Sequence, residues 1–255
     1  MRIPYLIGGL TLAVLVIVLV QYGPDWFAGP ELEPEVTVTP IEVPEAEVPL
    51  VRVPTPEVVA RAEPEIELPG LDDSDGFVLG QLASFDLPEL WIQREDLMRR
   101  LAVVVDNAGK GQYPRRQLGF LAPTGVFKVR RSGAEIFVDP VSYSRYDTYL
   151  DIIEKIDPEL LAESLMLFEP LLLDGLAELG NRQGVGEQID AAIGQVLAVP
   201  VLQGDVRLVQ PKVFYQYADA KLEALSPLQK QVLRAGPINV ARLQRYLASL
   251  RDALR

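Results

Sequence analysis

The sequence predicts a mostly α-helical domain with one small β-hairpin, carried behind a single transmembrane helix and a Pro/Glu-rich spacer. Three observations lead there. Residues 3–24 hold no charge, and residues 30–69 hold nine prolines and no glycine. After Leu71, apolar residues recur three and four positions apart, except for one pair of β-rich runs around Ser132-Gly133. These observations set an anchor at 1–24, a spacer at 25–70 and a helical domain at 71–255.

The anchor reads "IPYLIGGLTLAVLVIVLVQYGP". As a helix rising ~1.5 Å per residue it reaches roughly 33 Å, enough to cross a bilayer. Pro4 stands at the start, where a helix tolerates it, and Tyr5, Tyr22 and Trp26 fall at the two expected interfaces. Arg2 and the amino terminus supply the nearby positive charge, whereas the next cation is Arg52. The positive-inside rule therefore places the N-terminus in the cytoplasm and the C-terminal domain in the periplasm of a bacterial inner membrane, single-pass. The adjoining "VQYGPDWFAGPE" lacks a small-x-small cleavage site, which favours an uncleaved signal anchor over a removed signal peptide.

In the spacer, each proline fixes φ, removes a backbone donor and biases its predecessor toward extended geometry. Ten Glu against two Arg in residues 30–69 give a net charge of −8 and keep the chain solvated. The expectation is a semi-rigid, polyproline-like or disordered linker that holds a domain away from its membrane. Most of the formal −12 therefore belongs to the spacer. Residues 71–255 carry 25 acidic and 21 basic side chains, dispersed, which gives no electrostatic footprint for nucleic acid. The chain has no cysteine and no histidine. That removes disulfides, thiolate and imidazole metal ligands, and the usual general base of Ser-His-Asp hydrolases. No cofactor and no metal site is predicted.

Within the domain, "PELWIQREDLMRRLAVVVDN" sets Leu90, Leu97, Leu101 and Val104 on one helical face, ended by Asn107 and Gly109. "GVFKVRRSGAEIFVDP" reads as a hairpin turning at Ser132-Gly133. "SYSRYDTYLDIIEKI" and "DPELLAESLMLFEPLLLDGLAELGN" are helical, the second with Asp157 as N-cap, Pro158 in the first turn and a break at Pro170. Its stripe is Leu161, Leu165, Phe168, Leu172 and Leu176. A helix around Ile189, Ile193, Val196 and Leu197 precedes the extended "DVRLVQPKVFYQYAD", and a last helix carries Val240, Leu243, Leu247, Leu250 and Leu254.

Three segments, "VVVDNAGKGQYPRRQLGFLAP", "DPVSYSRYDTYLDIIEKIDPELL" and "VRLVQPKVFYQYADAKLEALSPLQKQVLRAGPIN", resemble a bacterial envelope family known as domain of unknown function 3014. The resemblance implies a single-pass protein of Gram-negative bacteria and carries no activity with it.

Four groups of residues are candidates for a site. The loop "NAGKGQYPRR" sets Lys110, Arg115 and Arg116 beside two glycines, an arrangement that offers cations and backbone N–H groups to an anion. It is not a P-loop, because Gly109-Lys110 is followed by Gly111. In "YSRYDTYLD", Tyr143, Arg145 and Tyr146 suit either a packing cluster or a sugar-stacking platform. Asp147, Asp151 and Glu154 recur at helical spacing and form either a solvated acidic face or a carboxylate site. In "RLVQPKVFYQY", Arg207, Gln210, Lys212 and Tyr215 lie on a segment that Pro211 confines to a sheet edge or loop. The functional expectation is a membrane-tethered periplasmic binding or scaffolding protein that docks an envelope protein or peptidoglycan through the basic loop and the Tyr-Arg segment. The alternatives are a carboxylate-dependent enzyme acting on cell-wall glycan and a sensor of a small anion.

Overall fold

The computed structural model describes residues 67–85, 87–88, 94–118, 123 and 125–255. The anchor predicted at 3–24 and nearly all of the spacer lie outside these. Among the described residues no helix is long and apolar enough to cross a membrane. A separate unit, Ala28–Leu68, overlaps the predicted spacer, and only Glu67 and Leu68 of it are described.

The domain, Pro69–Arg255, is mostly helical. A 3-10 turn, Leu71–Asp73, leads into α1 (Asp75–Leu82). Helix α2 (Leu97–Gly109) starts later than its apolar pattern predicts, because Asp96 takes a left-handed φ of 53° and cannot continue a helix backwards; Leu90 lies outside the described residues. Asp96 does not cap α2 itself. The Asp75 carboxylate from α1 accepts from the Asp96 and Leu97 N–H groups, both at 2.8 Å, and takes the cap's place. Arg99 then ties α2 to Asp72 at 2.5 Å and to Glu178 at 2.7 Å.

After the short α3 (Arg115–Leu118) come β1 (Val129–Ser132) and β2 (Glu135–Val138), antiparallel with Ser132 opposite Glu135. The two-residue turn is therefore Gly133-Ala134, one position later than predicted. Gly133 sits at φ +57°, which the first central position of such a turn requires. The hairpin is also not alone. β3 (Arg207–Val209) pairs with β2, and β4 (Gln216–Tyr217) with β3, giving an antiparallel sheet in the order β1-β2-β3-β4. The predicted single hairpin is thus half of a four-stranded sheet. Pro211 does not prevent this, since it falls in the connection between β3 and β4, where no ladder bond is lost.

Two 3-10 turns, Pro140–Ser142 and Ser144–Tyr146, precede α4 (Asp147–Ile153). In α5 (Pro158–Leu167), Asp157 accepts from the Glu159 N–H at 2.9 Å, as an N-cap does. Pro170 breaks the run and stands in the first turn of α6 (Glu169–Glu178). The remaining helices are α7 (Val185–Leu197), α8 (Ala220–Glu223), α9 (Pro227–Leu233) and α10 (Gly236–Ala253). The core forms where α2 packs on α6 and α7, and α10 on α5, α7 and α9. Every residue of the predicted α5–α6 stripe is buried, as are Val240, Leu243, Leu247 and Leu250 of α10. The sheet adds its inner face, Leu208 and Tyr217, to the same core.

Candidate functional site

The fold brings two of the candidate groups together, the tyrosines and arginine of "YSRYDTYLD" and the tyrosine of "RLVQPKVFYQY". Arg145, half-buried, donates from Nε to the Ser142 carbonyl at 2.9 Å and from Nη1 to the Gly125 carbonyl at 3.3 Å. Its guanidinium lies 5.9 Å from the Phe127 ring centre and 5.5 Å from that of Tyr146, within cation–π range. Phe127 in turn meets Tyr215, ring centres 6.3 Å apart and tilted by 53°, and Arg131 reaches the Tyr215 hydroxyl at 3.4 Å. One arginine thus ties the strand entering β1 to the 3-10 turns, and one tyrosine ties it to the strand entering β4.

Most of the tyrosines are structural members of this cluster. Tyr146 is fully buried and Tyr215 is 7% exposed. The Tyr146 hydroxyl lies beside Gln231 without reaching hydrogen-bond geometry. Burial raises its pKa against the opposing pull of Arg145 and Arg234. Tyr143 is half-buried over Gly236, and burial, with the Asp205 charge, pushes its hydroxyl up to about 12. Tyr217 is raised further by burial. These three phenols are therefore neutral at physiological pH.

On the outer face of the sheet, Arg130, Phe137 and Arg207 stand in one cross-strand row. The Arg130 guanidinium lies 5.2 Å from the Phe137 ring centre and pairs with Asp205 at 2.5 Å, while Arg207 pairs with Glu135 at 3.4 Å. Gln210 donates to the Val213 carbonyl at 3.1 Å, and Lys212 is exposed in the same connection. Around the cluster stand apolar side chains in water: Val126 is 76% exposed, Val213 74% and Ile238 76%. Val126 and Val213 lie one and two residues from the Phe127–Tyr215 contact, and Ile238 lies two from Gly236 beneath Tyr143.

The basic loop packs elsewhere. Lys110 pairs with Asp106 at 2.8 Å, and the Gly111 carbonyl accepts from Leu228 at the start of α9. Arg115 and Arg116 are exposed on α3. The acidic face of α4 is neutralised by α10. Arg242 donates to Asp151 at 2.7 Å and to Glu154 at 2.6 Å, and Asn239 donates to Asp147 at 2.8 Å. A glycosidic acid needs a carboxyl raised by burial, whereas hydrogen bonding to Arg242 holds Glu154 below its ordinary value. Among the described residues no three acidic side chains converge to hold a metal ion. A groove of about 560 Å³ between α5, α7 and the end of α10 has Leu165, Ile189 and Ile193 on its floor. On its rim Arg251 bridges to Asp190 at 2.6 and 2.7 Å.

Phe127, Arg131, Phe137 and Arg234 were not candidates on sequence. Arg131 was recoverable from the alternation in "KVRRS", which puts Arg130 and Arg131 on opposite faces. Phe137 needed the strand register, and Phe127 and Arg234, which lie outside the strands, needed the tertiary packing.

The family model described as protein of unknown function DUF3014 matches residues 97–251, more than half of the chain. The chain belongs to the DUF3014 family. The DUF3014 match opens on the first residue of α2 and closes in the last turns of α10, so it contains the tyrosine–arginine cluster, the sheet and the Arg242 network. No curated protein and no solved structure matches the chain.

Proposed function

We propose that the chain is a single-pass inner-membrane protein, anchored by residues 3–24, that holds its helical domain in the periplasm and docks an envelope protein through the tyrosine–arginine surface. The uncharged apolar run, the single basic flank at Arg2 and the proline-rich spacer support the topology. The observation that carries the docking role is the pair Val126 and Val213, each about three-quarters exposed, beside a packed cluster of arginines and aromatics. Aromatic and arginine side chains fixed by their neighbours are the usual anchors of an interface, and exposed aliphatics beside them supply area that only a partner buries. The pairing of Asp151 and Glu154 with Arg242 favours this reading over the glycan enzyme, and the Lys110–Asp106 pair favours it over an anion sensor.

The test is site-specific photo-crosslinking in cells from Val126 and Val213, with Met166 beside the separate groove as control. A discrete envelope-protein adduct from the first two positions and none from Met166 supports the reading. Glycan fragments at the first two positions, or the same adducts from all three, would contradict it.

A further inference from the structure

We propose that the outer edge of β1 accepts an extended acidic segment of a partner protein as a fifth strand. This rests on the docking reading above and gives that partner its chemistry. β1 ends the sheet, pairing with β2 on one side, and no described element is hydrogen-bonded to its other side. The register fixes which groups are turned out. The Asp139 N–H donates to the Lys128 carbonyl at 3.1 Å, and Ser132 opposite Glu135 closes the two-residue turn. The backbones of residues 128, 130 and 132 therefore face β2, and those of Val129 and Arg131 face outward with both N–H and C=O.

The other edge is closed by contrast. At β4 the Tyr217 N–H is taken by the Glu223 carboxylate of α8 at 2.9 Å, so that edge is covered from within the domain. Among the described residues one edge of the sheet is covered and the other is not, which leaves a single place to add a strand.

Charge selects the guest. Lys128, Arg130 and Arg131 stand within four residues with no acidic residue among them. Arg130 leans back to Asp205 and Phe137, while Lys128 is exposed and Arg131 reaches the Tyr215 hydroxyl at 3.4 Å. A second copy of β1 laid antiparallel on this edge would bring like charges together, which disfavours self-pairing. Lys128 shares the outer face with Arg130, and Arg131 projects from the opposite face beside Tyr215, so an extended strand with carboxylates at alternate positions sets them against one of these cations and its apolar side chains along the other face. Val126, exposed just before the strand, extends the contact.

The experiment uses the full-length protein in detergent micelles and a fluorescein-labelled peptide of alternating Glu and Val, seven residues long, read by anisotropy. The proposal expects saturable binding that weakens about tenfold or more when every residue of the peptide is N-methylated, because this removes the backbone donors on both sides of the strand and leaves the charge unchanged. Arg131→Pro removes an outward N–H without breaking a β1–β2 bond and should weaken binding similarly. Lys128→Glu with Arg131→Glu should abolish it. Equal binding of the N-methylated peptide to the wild-type protein overturns the proposal whether or not the variants fold, since attraction would then be charge alone. Absence of binding by the parent peptide overturns it too. If crosslinking from Val213 still yields an envelope adduct in that case, the edge proposal fails and the docking reading stands.

Discussion

Gly236 holds φ at +82° at the first turn of α10, directly beneath the Tyr143 ring. A Cβ built there would stand 2.3 Å from Tyr143 Cγ. Gly236→Ala therefore combines a left-handed backbone with overpacking and should cost about 2–5 kcal/mol. Urea unfolding checks this, and an unchanged midpoint would contradict the packing described. A second residue-scale consequence concerns pH. Arg242 holds the Glu154 carboxyl below its ordinary 4.5, and Arg251 likewise holds the Asp190 carboxyl down. With a folded pKa depressed, the contribution to stability is complete above the unfolded value and is lost as pH falls through the folded one. Stability should thus decline below about pH 4.5, and Arg242→Gln should make that decline shallower. Thermal midpoints measured from about pH 6 down to about pH 3 decide it, with identical acid limbs as the refuting result. Both carboxylates are largely exposed, so the effect is a modest one.

At the scale of elements, the two unusual caps make separate predictions. Asp75→Ala removes the acceptor for two N–H groups at the start of α2 and should lower stability by about 1–2 kcal/mol, with Asp75→Asn retaining part of it. Ser226 and Gln229 form a reciprocal capping box on α9, and Ser226→Ala should cost about 1 kcal/mol. Denaturant midpoints read both losses. Local signals of this kind were largely legible. The α5 cap at Asp157, the break at Pro170 and the stripes of α6, α7 and α10 all come from residue spacing, because helical contacts repeat within a few positions. The features that escaped were non-local. β3 joins β2 across about 70 residues of chain, and nothing in "VRLVQ" names its partner. The cap that Asp75 supplies to α2 crosses more than 20 residues, and the turn at Gly133-Ala134 was one position off because Ser132-Gly133 satisfies the same composition rule.

For the whole molecule, the family match spans one helical domain built around α2 and α10, with a small sheet whose rim carries the arginines, tyrosines and exposed valines. Of the candidate residues, Tyr143, Arg145, Tyr146 and Tyr215 converge there, while Lys110, Arg115 and Arg116 belong to another part of the surface. Sequence spacing placed each group on its own segment but could not bring them together, since the contacts join residues from 125–146 to 207–238. The docking role is the central claim, and it is most directly tested by photo-crosslinking in cells from Val126 and Val213. A discrete envelope-protein adduct from both positions, absent at Met166, is the predicted result. Glycan fragments, or adducts that form equally at Met166, would contradict it.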